Sequence, residues 1–204
     1  MKKILLSLVV ISFMTMMRVE AFDWMSALNF LGRASETQTA QPQISTINDF
    51  EKQMATIDNT VETAFIDIVS ELSGWWDTRS IKSQLKSNED ALTTVLSDYA
   101  NTYLENNRQN VVNTIKKMSS KEKTALVNNL TVLAENGQNY LVLAANGAKA
   151  ATNAFKTAQT VNEVTTTITN VNKAAAELRN RATAVMTLAN QLKSVATAAG
   201  VNVN

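Results

Sequence analysis

The stretch from Val161 to Ala199 constrains the fold more than any other part of the chain. Its apolar and small residues recur at alternating spacings of three and four, and neither Gly nor Pro lies among them. They are Val161, Val164, Ile168, Val171, Ala175, Leu178, Ala182, Val185, Ala189, Leu192, Ala196 and Ala199. This spacing predicts one face of a long helix that packs along other helices. The following Gly200 suits the end of that helix.

A first helix is predicted to begin near Ser45 or Thr46. Thr46 and Asp49 have the spacing of a capping box, in which a hydroxyl and a carboxylate bond to the free amide groups of the first turn. The three-four spacing then continues to Leu72, and the helix should end near Ser73 and Gly74. A second helix is predicted from Arg79 to Met118. The polar run 106–110 interrupts its seam, and it is interpreted as a kink, a short loop or a point where the helix leaves its neighbours.

Two further capping boxes, Ser119 with Glu122 and Thr160 with Glu163, divide the rest of the chain into a third and a fourth helix. In the third helix Gly137 and Gly147 fall on the apolar seam. A glycine inside a helix costs about 1 kcal/mol relative to alanine, so these residues could instead be turns that split the element. Because both lie on the seam, we favour one helix in which a neighbouring backbone approaches closely.

These elements predict an all-α protein. Five glycines, one proline and an aromatic content of 6% are poor material for a β-sheet protein. The second, third and fourth helices would each have about 39 residues and a length of about 58 Å. We expect an elongated antiparallel bundle over 45–200, with about four long helices arranged up-down-up-down, Ala-rich seams like those of coiled coils, and a tail over 201–204. The competing architecture is a partly open assembly of hairpins completed by another chain.

Composition bears strongly on chemistry. The chain has no cysteine and no histidine, which removes the usual thiolate nucleophile, the commonest general base and the commonest metal ligands. We therefore expect no enzyme, no catalytic residues, no cofactor and no metal site. The predicted first helix carries an acidic outer face, which we interpret as solvated surface. The alternative is that Asp58 with Glu62, or Asp67 with Glu71, holds a divalent cation loosely.

The first 21 residues have the pattern of a secretory signal peptide. Lys2 and Lys3 precede an apolar run, and Val19 and Ala21 are small residues at the positions that a signal peptidase reads. We expect cleavage after Ala21 and export to the periplasm or the extracellular space. Arg18 and Glu20 are unusual so close to a cleavage site, which leaves an uncleaved anchor as the alternative.

The candidate partner contacts lie in two aromatic segments. Residues 22–44 combine an apolar piece containing Phe22, Trp24 and Met25 with a flexible tether, and this piece either packs on the bundle or binds a partner. Trp75 and Trp76 are adjacent at the predicted first turn. They either cover the end of the core or form a contact site.

The function expected from these features is protein–protein interaction or self-assembly by an exported structural, envelope or secretion-associated component. The alternative is a carrier or membrane-active helical module that binds a hydrophobic ligand or a lipid surface. A formal net charge of +1 gives no reason to expect a nucleic-acid partner. Contact with a membrane surface has weak support, because the apolar N-terminal piece carries few positive charges.

Overall fold

The fold is all-α over the part of the chain that the structure describes. The structure is a computed structural model, and it describes residues 47–72, 78–86, 91–157 and 161–203. These ranges contain five helices and no strand: α1 (Ile47–Leu72), α2 (Thr78–Leu85), α3 (91–117), α4 (Ser120–Thr157) and α5 (Val161–Ala198). The all-α prediction is confirmed.

The predicted second helix differs most from the structure. A helix ends at Leu85 and another begins at Ala91, so one predicted element corresponds to both α2 and α3. Within α3, a π-helical segment (Tyr99–Leu104) joins two α-helical parts, Ala91–Asp98 and Glu105–Lys117. The polar run 106–110 is helical, and the irregular turn lies just before it.

The helix α4 is continuous through Gly137 and Gly147, which confirms the prediction of one element. The close approach expected at the seam is found at Gly137. A Cβ atom added there would lie 2.7 Å from Cγ of Met186 and 3.6 Å from Cγ1 of Val185, both on α5. A side chain at position 137 would therefore have to displace Met186, whereas the backbone conformation itself does not call for glycine.

Replacing Gly137 with valine should lower the free energy of unfolding by about 2 kcal/mol, because overpacking a filled site costs about 1–3 kcal/mol. Urea denaturation measures this change. If the clash with Met186 is the cause, Met186→Ala should relieve it. The double variant should then be at least about 0.5 kcal/mol more stable than the sum of the two single changes in the free energy of unfolding predicts. Additive effects would contradict the close approach.

The helix ends follow the expected side-chain chemistry where the structure describes them. At the start of α4, the amide of Ser119 donates to Oε2 of Glu122 at 2.6 Å and the amide of Glu122 donates to Oγ of Ser119 at 3.3 Å, so this capping box is confirmed. Thr46 and Thr160, which begin the other two predicted boxes, lie outside the described residues.

The end of α5 is a Schellman turn. Gly200 has a φ of +83°, and the amide groups of Gly200 and Val201 donate to the carbonyls of Thr197 and Ala196. Val201, assigned to the tail by its sequence position, is buried against the core. The packed part of the chain therefore extends to Val201, the first residue after Gly200.

The core contains the predicted seams and one stripe that the sequence analysis missed. In α1, Val61, Phe65 and Ile68 are fully buried. In α5, every described seam position from Ala175 to Ala196 is buried. A second stripe on α5 is buried as well, and it consists of Arg181, Ala184, Leu188 and Val195. The helix α5 thus packs against neighbours on two sides, since it contacts both α3 and α4.

Candidate functional site

The predicted partner contacts all lie outside the described residues. This holds for Phe22, Trp24 and Met25 of the N-terminal segment and for Trp75 and Trp76 between α1 and α2. Their assignment as contacts stays a prediction. Within the described ranges two other features are candidates: an open groove between α1 and α4, and a polar cluster beside it.

The groove has a volume of about 520 Å³ and an uncharged lining. It lies between α1 and α4, and its lining residues are Thr56, Asn59, Thr60, Thr63, Ala64, Asn129 and Val132. No ionisable side chain is among them. This uncharged patch on an otherwise acidic helix is a signal that could have been read from the sequence.

The threonines of the groove bond to their own helix. The hydroxyls of Thr56, Thr60 and Thr63 each donate to the carbonyl four residues earlier, at 2.8 to 2.9 Å. Such bonds satisfy the hydroxyl protons without water. Covering this surface with another helix would therefore leave no hydroxyl donor unpaired, which lowers the cost of removing water from the groove.

The polar cluster consists of Asp58, Tyr140, Glu177 and Arg181, contributed by three helices. Arg181 is 3% exposed and forms ion pairs with Asp58 of α1 and with Glu177 one turn earlier on α5. The hydroxyl of Tyr140, on α4, donates to Oδ1 of Asp58 at 2.5 Å. A buried arginine is tolerated here because two carboxylates surround it.

The cluster shifts the pKa values of its buried members. Burial raises the pKa of the Tyr140 hydroxyl, and the nearby Asp58 carboxylate raises it further. The pKa of Arg181 is also raised, because hydrogen bonding and charge attraction from Asp58 together with the charge of Glu177 outweigh its burial. The cluster therefore holds a neutral phenol and a charged guanidinium in the interior.

A second buried group surrounds the π-helical segment of α3. The ring of Tyr99 contacts that of Phe65 edge-on, with centroids 5.3 Å apart, and stacks on that of Tyr103 at 4.8 Å. Burial raises the pKa values of both phenols. π-Helical turns are frequent at functional sites, but most side chains of this one are buried in the hydrophobic core.

The two acidic pairs of α1, Asp58 with Glu62 and Asp67 with Glu71, have different surroundings. Asp58 is engaged by Arg181 and Tyr140. Burial raises the pKa of Glu71, and the carboxylates of Asp67 and Glu122 add to this shift. No group of three acidic side chains in the described residues has an arrangement that could hold a metal ion.

Comparison with known proteins identifies no relative. No protein-family model, no curated protein and no solved structure matches the chain. None of the described helices is both long enough and apolar enough to cross a membrane.

Proposed function

We propose that the protein is an exported, non-enzymatic helical bundle that acts through protein–protein interaction or self-assembly, as a structural, envelope or secretion-associated component. The groove between α1 and α4 is the observation that carries this proposal. Its polar lining has hydroxyl protons already bonded and no ionisable group to desolvate. A helix from another chain could cover such a surface at small desolvation cost.

The proposed architecture is an elongated bundle in which successive helices alternate in direction. Asp58 meets Tyr140, whereas Thr63, later in α1, shares a groove with Asn129, earlier in α4. These contacts support antiparallel packing of α1 on α4. If only four helices alternated in direction, the first and the third would run parallel. In the proposed arrangement α2 is an additional helix between α1 and α3, so α1 and α4 run in opposite directions.

Export rests on the sequence of residues 1–21. The two lysines, the apolar run and the small residues before the proposed cleavage after Ala21 support secretion to the periplasm or beyond. The interaction surface would then meet other exported proteins. The alternative, a carrier for a hydrophobic ligand, gains no support from the described groove, because Thr and Asn supply most of its lining.

The groove proposal predicts that Thr60→Arg disrupts association. A bulky cation in the groove should raise the dissociation constant for self-association at least tenfold, about 1.4 kcal/mol, since one central interface residue often contributes this much. Light scattering of the full chain over a concentration series measures this constant. Thr183→Arg is the matched control, because Thr183 is an exposed threonine on α5 that makes the same bond to its own helix.

Equal dissociation constants for the two variants would remove the groove from the interface. A wild-type chain that stays monomeric at every concentration would contradict self-assembly. The same pair of variants would then be compared for binding to a different exported protein, identified by cross-linking in the producing cell.

A further inference from the structure

The apolar contacts between α1 and α4 repeat along both helices. The buried apolar positions of α1 are Phe50, Val61, Ala64, Phe65, Ile68, Val69 and Leu72, and those of α4 are Leu126, Leu130, Leu133, Tyr140, Leu143 and Ala144. A shift of α1 by seven residues, about 10.5 Å along the axis, would again place apolar residues at most of these buried positions. Apolar packing alone therefore distinguishes poorly between these registers.

The polar cluster interrupts this repetition at one level of the bundle. Arg181 is the only charged residue buried in the described part of the chain, and Asp58 is the carboxylate that α1 supplies to it. We propose that Asp58, Tyr140, Glu177 and Arg181 form a register lock, which fixes the axial position at which α1 docks on α4 and α5.

Both shifts by one heptad are penalised at this lock. One shift replaces Asp58 with Phe65, so Arg181 keeps only Glu177 and the Tyr140 hydroxyl loses its acceptor. The opposite shift brings Glu51 to the lock but carries Asp58 to the position of Phe65. That position is fully buried against Tyr99 and offers a carboxylate no cation. The first shift therefore leaves a buried hydroxyl unpaired and a buried arginine with one carboxylate fewer, and the second buries a carboxylate without a cation; both are unfavourable.

The lock acts on specificity more than on overall stability. Buried ion pairs replaced by apolar residues of similar size often leave a protein equally stable or more stable. A single polar residue in the seam of a coiled coil likewise selects one register at some cost in stability. The proposal therefore concerns which docked arrangement forms, and it is independent of whether the groove binds a partner.

Cysteine cross-linking of the full chain tests the register directly, because the natural sequence has no cysteine. Thr63 and Asn129 line the same groove, so Thr63→Cys with Asn129→Cys reports the observed register. Ser70, which lies one heptad after Thr63, does not line the groove, so Ser70→Cys with Asn129→Cys reports a shift of one heptad. With the lock intact, we expect the first pair to form its disulfide at least tenfold faster than the shifted pair.

In the variant without the lock, this tenfold preference should fall below threefold. That variant carries Asp58→Leu, Tyr140→Phe, Glu177→Leu and Arg181→Met. A matched control, Asp67→Leu, removes an exposed carboxylate of α1 outside the lock and should keep the preference. Retention of a tenfold preference in a folded variant without the lock would overturn the proposal.

Circular dichroism establishes whether the fourfold variant folds. If it does not, Asp58→Asn decides the question, since it removes the charge and keeps an oxygen for Tyr140. We expect the shifted pair, Ser70→Cys with Asn129→Cys, to react at least threefold faster in Asp58→Asn than with the lock intact. Unchanged rates would overturn the proposal.

Discussion

Leu178→Asp should destabilise the domain severely. Leu178 has no exposed surface and lies in the middle of the described seam of α5. Removing a buried leucine side chain costs about 2–5 kcal/mol, and burying an unpaired carboxylate costs more. We expect a loss of at least about 4 kcal/mol, a large part of the about 5–15 kcal/mol that stabilises a domain. Circular dichroism melts measure the result.

The control for this prediction is Ala176→Asp. Ala176 is exposed two residues earlier on the same helix, so the variant places the same charge in solvent and should lose less than about 1 kcal/mol. A melt of Leu178→Asp that matches this control would contradict the burial of the seam, and with it the packing of α5 on its two neighbours.

Raising the pH above 10 should destabilise the protein steeply. Burial raises the pKa values of Tyr99 and Tyr140 well above the ordinary value of about 10. As pH rises past 10, the unfolded chain releases these two protons before the folded chain does, so stability falls with pH. At pH 11 each phenol should cost about 1.4 kcal/mol, and both together about 3 kcal/mol.

Urea denaturation at pH 8, 10 and 11 measures this loss, and absorbance at 295 nm follows tyrosinate in each state. The chain has three tyrosines, so a variant with Tyr99→Phe, Tyr103→Phe and Tyr140→Phe contains none while keeping every lysine. Between pH 8 and 11, the free energy of unfolding of this variant should fall by at least about 2 kcal/mol less than that of the natural sequence. An equal decline in both proteins would assign the effect to other groups.

The sequence predicted the helices best where a single periodic pattern of apolar residues determined the element. The seam of α5 and the continuity of α4 through Gly137 were correct because an uninterrupted three-four spacing reports the buried face directly. The capping box at Ser119 was correct because its bonds are local in sequence. Local rules of this kind need no knowledge of the neighbouring helices.

The boundary between α2 and α3 could not be placed by the same rule. Leu85 and Leu92 are seven residues apart, so the seam looks unbroken across the polar residues between them. A heptad spacing is satisfied both by one continuous helix and by two helices whose apolar faces meet the same core. Only the contacts of α2 with α1 and α3 distinguish these arrangements.

The polar cluster was missed because its partners are distant in sequence. Asp58 and Arg181 are separated by 123 positions, and the acidic face that includes Asp58 was interpreted as solvated surface. A usable signal was present: Arg181 stands in a three-four stripe whose other members are the apolar Ala184, Leu188 and Val195. A charge in such a stripe indicates a buried partner, but the stripe does not identify that partner.

The π-helical segment of α3 helps the same side of that helix face the core before and after its largely exposed run 105–110. The buried residues come in neighbouring pairs that recur every four positions. These pairs are Ala91 and Leu92, Val95 and Leu96, Tyr99 and Ala100, and Tyr103 and Leu104. The pair Val111 and Val112 follows eight positions later, so it fits the same four-residue repeat. In a regular α-helix a four-residue repeat rotates by about 40° at each step, or about 200° over the five steps from Ala91 to Val111. The wider turn over Tyr99–Leu104 offsets part of this rotation, so α3 tolerates a sequence period that an ordinary helix would turn towards solvent.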